Sequence, residues 1–227
     1  MVFTEDNGLK EYYEGDMFLK QGLYRQAEDK LIISAEKGNV EAQLTLGSSY
    51  RFGKNGFERN IFKAVAWYGK AADQNNAGAN KTLGHMYSDE KNPFYNMGVA
   101  EIYFKKAYDL GNYESAGYLG LIYMDDDYKN RNYNTAHSYF DIAINRGYPL
   151  GYYGKGLLAE LAKDTETARS FFNKAKEYGY DANAVRDALI RIMPNGIEKG
   201  YLTGSTNRIV VTVALIILAI LLLITIK

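Results

Sequence analysis

Along most of this chain the apolar positions recur at i, i+3, i+4 and i+7, the stripe of an amphipathic helix. The stretch KAVAWYGKAADQN (Lys63–Asn75) shows it most clearly. It returns as VAEIYFKKAYDLG (Val99–Gly111), TAHSYFDIAINRG (Thr135–Gly147) and TARSFFNKAKEYG (Thr167–Gly179), with a fainter copy at Gln26–Gly38. The alanines Ala27, Ala64, Ala100, Ala136 and Ala168 align, about 36 residues apart until a shortened last interval. A second helical pattern alternates with the first. GNVEAQLTLGSSY (Gly38–Tyr50) matches NNAGANKTLGHMY (Asn75–Tyr87) and GNYESAGYLGLIY (Gly111–Tyr123), and GYPLGYYGKGLLA (Gly147–Ala159) is a worn fourth copy. Helix pairs repeated at this period stack into a solenoid.

The boundaries follow from local signals. Leu9–Tyr24 and Gln26–Lys37 give a first pair, and Tyr180–Met193 a terminal capping helix stopped by Pro194-Asn195-Gly196. Gly38, Gly111, Gly147 and Gly179, with Asn75 once, sit where a left-handed C-terminal cap is needed. Gly47, Gly84, Gly120 and Gly156 share one phase inside a helix, where glycine costs about 1 kcal/mol relative to alanine. Close approach of the paired helix through its small residues accounts for them. Leu46, Leu83 and Leu119, with Tyr50, Tyr87 and Tyr123, then fill the core, each fully buried one contributing roughly 1.5–3 kcal/mol.

The chain therefore reads as all-α: an α/α superhelical solenoid of about five helix pairs with a capping helix over residues 1–193. A Gly/Ser/Thr/Asn-rich tether follows over 194–208. The span IVVTVALIILAILLLITI (Ile209–Ile226) carries no charge, and 14 of its 18 residues are Ile, Leu or Val. As a helix it measures about 27 Å, close to the hydrocarbon core of about 30 Å. It reads as one transmembrane helix, bracketed by Arg208 and Lys227. The polar, acidic start MVFTEDNGLK lacks the apolar core of a signal peptide. The reading is a single-pass, C-terminally anchored protein whose repeats face the cytoplasm.

Composition narrows the chemistry. Lys+Arg and Asp+Glu balance at 27 each, so nothing in the global charge attracts nucleic acid. With no cysteine there is no disulfide, no thiolate nucleophile and no thiolate-bound zinc. His85 and His137 lie in different repeats, and their reading is as surface or partner-contact residues. Asp125-Asp126-Asp127 lacks the glycine and closing glutamate of a calcium loop. Gly151–Gly156 is neither a P-loop nor a dinucleotide fingerprint and aligns to a repeat helix. No catalytic signature, cofactor, metal or small-molecule substrate is indicated.

The pattern Ala42-x3-Leu46-Gly47-x2-Tyr50 followed by Lys63-Ala64-x2-Trp67-Tyr68-x-Lys70-Ala71-Ala72 resembles the Sel-one-like repeat family, a branch of the tetratricopeptide superfamily. The resemblance covers roughly Leu9–Ile192. It implies an adaptor that holds proteins in complexes, often at membranes, and it brings no catalytic residues. In the tetratricopeptide-like register, residues at fixed offsets from the repeat glycine line a concave groove. Tyr12, Leu44, Arg51, Lys81, His85, Leu121, Met124 and Tyr153 are the partner-binding candidates so placed. Arg51, Lys81 and His85 would make its middle basic, and Leu121, Met124, Tyr153 and Leu157 would make one end apolar. Three functions compete: a membrane-anchored adaptor for a protein or peptide partner; an immunity-type or inhibitory binder of a toxin or enzyme near the membrane; and an enzyme, which nothing in the sequence favours.

Overall fold

The computed structural model describes residues 7–192. The tether and the apolar span Ile209–Ile226 lie outside the described residues. Within them no helix is long and apolar enough to cross a membrane.

Every regular element among the described residues is an α-helix. In order they are α1 (Leu9–Lys20), α2 (Tyr24–Glu36), α3 (Val40–Phe52), α4 (Ile61–Asp73), α5 (Ala77–Ser88), α6 (Met97–Asp109), α7 (Ser115–Met124) and α8 (Tyr133–Asn145). Then come α9 (Leu150–Leu161), α10 (Thr165–Glu177) and α11 (Ala182–Ile192). Two compact units are present, one ending at Arg146 and one starting at Gly147. In the first, α1 packs on α2, α3 on α4, α5 on α6 and α7 on α8, and each pair packs on the next. In the second, α9 pairs with α10 and α11 covers them. Five pairs and an eleventh helix are what the period predicts.

Two boundaries move. The first helix ends at Lys20 and Tyr24 opens α2, because Gly22 turns left-handed (φ 73°) and the Leu23 amide donates back to the Phe18 carbonyl. That double-ended cap stops the helix earlier than its apolar periodicity implies. The last helix starts at Ala182, not Tyr180. The Asp181 carboxylate accepts the Asn183 and Ala184 amides, both at 2.8 Å, and so caps the N-terminus. At the other repeat junctions, Gly38 (φ 95°) and Asn75 (φ 58°) adopt the left-handed caps expected of them.

The core confirms the aligned alanines and leucines. Ala27, Ala64, Ala100, Ala136 and Ala168 are fully buried, as are Leu46, Leu83 and Leu119. Tyr50 is buried with them, while Tyr87 and Tyr123 are half-buried. The explanation for the repeat glycines needs correction. They do not face small residues: each faces the large side chain four residues after the aligned alanine. Gly47 faces Tyr68, Gly84 faces Phe104, Gly120 faces Phe140, Gly156 faces Phe172, and Gly15 faces Leu31. A methyl group on Gly84 would lie 2.7 Å from the Phe104 ring, and one on Gly156 2.5 Å from Phe172. The glycine is a socket for a ring.

The loops hide a regularity. Asn60, Asn96, Asn132 and Asp164 stand four residues before the aligned alanine of α4, α6, α8 and α10. Each side chain accepts the amide three residues on, at 3.0–3.1 Å. The backbone amides of the three asparagines also donate to the carbonyls of Tyr50, Tyr87 and Tyr123, at 2.7–2.8 Å. One residue thus both caps a helix and ties it to the preceding one. Each long loop then lays an aromatic ring against the same tyrosine: Phe57 on Tyr50, Phe94 on Tyr87 and Tyr128 on Tyr123.

Candidate partner-binding face

The eight candidate residues all come out half-buried on the first helix of a pair. Seven belong to the first unit. The eighth, Tyr153, belongs to the second, where it stacks on Tyr180 with ring centroids 4.5 Å apart and packs against Phe172. Its neighbour Leu157 joins the same apolar cluster with Val185 and Leu189 of α11. These two side chains serve the second unit's own packing.

In the first unit, Arg51 from α3 and Lys81 and His85 from α5 do converge, around aromatic groups that periodicity alone did not single out. The His85 ring meets Tyr118 edge-on at 4.2 Å and Phe104 at 5.1 Å. Burial holds its pKa down at about 4, and the positive charges of Lys81 and Arg51 lower it further against the opposing pull of Glu114. At neutral pH His85 carries no charge. Lys81 is neutralised as well: its ammonium pairs with the Glu114 carboxylate at 2.6 Å, reaching from one repeat to the next. The expectation of a basic middle is therefore corrected. Of the three, Arg51 alone remains a cation without an ion pair among the described residues. It lies against the Tyr68 hydroxyl, which burial raises in pKa while Arg51 and Ser48 oppose. Glu114 also accepts from the Tyr118 hydroxyl, whose pKa burial and that carboxylate push up to about 12.

At one end of this face, Tyr12 of α1 lies beside Thr45 and near the carboxylates of Asp16 and Glu41. Burial, then those charges, raises its pKa. Leu44 borders a shallow depression of about 280 Å³ with Thr45 and Ser48. At the other end, Leu121 and Met124 stand one turn apart on α7. Larger than any of these is a cleft of about 560 Å³ beside Arg51, walled by the loop before α4 and the loop after α5.

Two inter-repeat latches escaped the periodicity. Glu28 on α2 accepts from the Tyr50 hydroxyl, and Glu101 on α6 accepts from Tyr123 and Tyr128. Each glutamate follows an aligned alanine by one position. Tyr50 and Tyr123 stand in the last turn of the next repeat's first helix, and Tyr128 lies in the loop that follows. Burial raises the Glu101 pKa most, but hydrogen bonds from Lys105, Tyr123 and Tyr128 together outweigh it, and the net shift is downward. Lys105 completes the group at 2.6 Å from Glu101. No group of three or more histidines and carboxylates suited to a metal occurs among the described residues.

Socketed glycines, aligned alanines and tyrosine-closed helices recur through residues that match the Sel1 repeat model four times, at 40–76, 83–112, 114–148 and 150–180. The chain belongs to the Sel1 repeat family. No curated protein matches this Sel1 repeat protein in sequence. Among solved structures it is similar to a Sel1 repeat protein from Oxalobacter formigenes, at 22% identity over 89% of each chain and a TM-score of 0.68. It is also similar to c5321, a protective antigen of uropathogenic Escherichia coli with this repeat fold (18% identity, TM-score 0.66). There the match covers 81% of this chain but only 40% of the antigen. The type IV pilus biogenesis factor PilW matches over 86% of this chain and 90% of its own, at 16% identity and a TM-score of 0.59. At such identities these likenesses establish the fold.

Proposed function

We propose that this Sel1 repeat protein is a membrane-anchored scaffold that holds a protein partner on the face formed by α1, α3, α5 and α7. The observation that carries the reading is the Arg51–His85–Tyr118 assembly, half-buried toward the middle of the first unit and backed by the buried Tyr68 ring, whose hydroxyl lies against Arg51. Arginine and aromatic groups in partly desolvated settings dominate binding energy at interfaces. Leu121 and Met124 continue the face with apolar surface, and Tyr12 and Leu44 continue it the other way. Membrane attachment rests on the span Ile209–Ile226, whose apolar run suits a bilayer crossing. Its proposed topology leaves the repeats in the cytoplasm.

Affinity capture from detergent-solubilised membranes tests both halves. The full chain should retain a specific partner, and Arg51→Glu or Leu121→Ala should each weaken its recovery while helicity and melting stay unchanged. Unaltered recovery in both variants would rule out this face. Deleting 209–227 should move the protein from the membrane to the supernatant, and sedimentation of the deleted form with washed membranes would sink the anchoring half.

A further inference from the structure

The cleft beside Arg51 has a composition unlike the rest of the first unit. Arg51, Arg59 and Lys91 line it with a single carboxylate, Asp89. None of the three cations forms an ion pair among the described residues; Lys54, Lys63, Lys70 and Lys106 of the same unit form none either, but here three such cations line one cleft. Phe52 forms part of the wall and is 53% exposed. The Arg51 guanidinium and the Lys54 ammonium lie 5.0 and 4.9 Å from its ring centre. A large exposed ring carrying two cations contributes little to the core. The loops themselves are well held. Asp89 accepts the Lys91 amide at 3.0 Å, Phe57 is buried, and Asn60 and Asn96 tie both loops down.

We propose that this cleft takes a short acidic segment of the scaffold's protein partner, with carboxylates on Arg51, Arg59 and Lys91 and an apolar side chain on Phe52. The inference rests on the scaffold reading above and names the partner's chemistry. Three cations against one carboxylate call for an anionic ligand. The chemistry of the walls favours a peptide over a bare phosphate. Phe52 and Pro93 offer apolar contact that phosphate cannot use, and Asp89 repels a dianion yet can accept a peptide N–H. The balanced charge of the whole chain adds no general attraction for nucleic acid. The cleft further explains how Arg51 can stay uncompensated. The segment that would neutralise it comes from outside.

The test uses the full chain and two blocked peptides, Asp-Glu-Phe-Asp and its uncharged counterpart Asn-Gln-Phe-Asn, read by calorimetry or by fluorescence anisotropy. The acidic peptide should bind about tenfold more tightly, and the preference should shrink as salt is raised. The double variant Arg59→Glu/Lys91→Glu changes two exposed side chains and should abolish that preference, whereas Lys81→Glu, outside the cleft, should leave it. Equal binding of both peptides, or an undiminished preference in the double variant with its helicity intact, overturns the proposal. So does tighter binding of inorganic phosphate or of a short oligothymidylate than of the acidic peptide. If the double variant still captures the partner while Leu121→Ala loses it, the cleft assignment falls and the scaffold reading stands.

Discussion

The repeat α3/α4 and the repeat α9/α10 are built on one plan and keep different halves of it. In the first, Leu46 is fully buried, Tyr50 closes α3, Phe57 packs on Tyr50, and Glu28 latches the tyrosine to the previous pair. In the second, Lys155 stands in the leucine position, 7% exposed, and Ala159 stands in the tyrosine position. The connecting loop has shrunk, leaving no ring to pack on a missing tyrosine. Yet Gly156 still receives the Phe172 ring, and Asp164 still caps α10 while its amide reaches the Ala159 carbonyl at 2.9 Å. The glycine socket and the capping residue hold a pair together. The tyrosine and its loop ring fasten the loop, and a glutamate, where present, latches the tyrosine to the previous pair. The repeat α9/α10 lacks all three, while α5/α6 keeps Tyr87 and Phe94 with Val65 in the glutamate position.

The largest effect that could break this comparison is removal of the ring from its socket. Phe140→Ala and Phe172→Ala each empty a fully buried site, and each should destabilise by about 3–5 kcal/mol in chemical denaturation. If the second costs far less than the first, the socket is not the shared element. Filling the socket from the other side should cost less. Gly120→Ala forces a methyl group onto the Phe140 ring, for about 1–3 kcal/mol of overpacking. The control is Gly69→Ala in α4, where the methyl group meets nothing within 4 Å and should stabilise by about 0.5–1 kcal/mol. Stabilisation by both would show that the repeat glycines are not sockets.

The latch is the next test. Glu101→Gln removes a charged acceptor from Tyr123, Tyr128 and Lys105 and should cost about 1.5–3 kcal/mol, with amides in the loop before α8 exchanging faster. Because the Glu101 pKa is lowered in the fold, its contribution is present above the unfolded carboxylate pKa and is lost as pH falls through the lower folded value. The variant should therefore lose less stability on acidification than the parent does.

The last predicted effect is absent at neutral pH and confined to an acidic window. His85 has a folded pKa of about 4, against an ordinary value of 6.5. The unfolded chain takes up its proton first. Its stabilising contribution is whole above about pH 6.5 and declines toward pH 4, by about 2 kcal/mol at pH 5. His85→Gln should remove that part of the acid sensitivity. Parallel stability curves for parent and variant between pH 7 and 4.5 would place His85 in a more open setting than the Tyr118 and Phe104 contacts imply.

How much of this was legible in the chain divides along the same line as the two repeats. Local pattern was enough for the helix pairs, the buried alanines and leucines, and the left-handed caps, because each follows from spacing within one turn or one period. The socket was half legible. Gly47, Gly84, Gly120 and Gly156 stood in phase, as did Tyr68, Phe104, Phe140 and Phe172, but which column met which depends on how two helices lie together. The asparagines four residues before the alanines were also open to inspection, and the variable loops around them masked the column. The apolar span Ile209–Ile226 belongs wholly to the sequence, since its character rests on composition alone. Charge at the candidate face was decided by tertiary structure. Lys81 and Glu114 are 33 residues apart, and burial of His85 against Tyr118 is a property of neighbours, which no single helix encodes. Loop residues Arg59 and Lys91 likewise become one cleft only because two loops of adjacent repeats are tied down side by side. Spacing along a chain sets which face a side chain occupies; its charge and its company depend on what packs beside it.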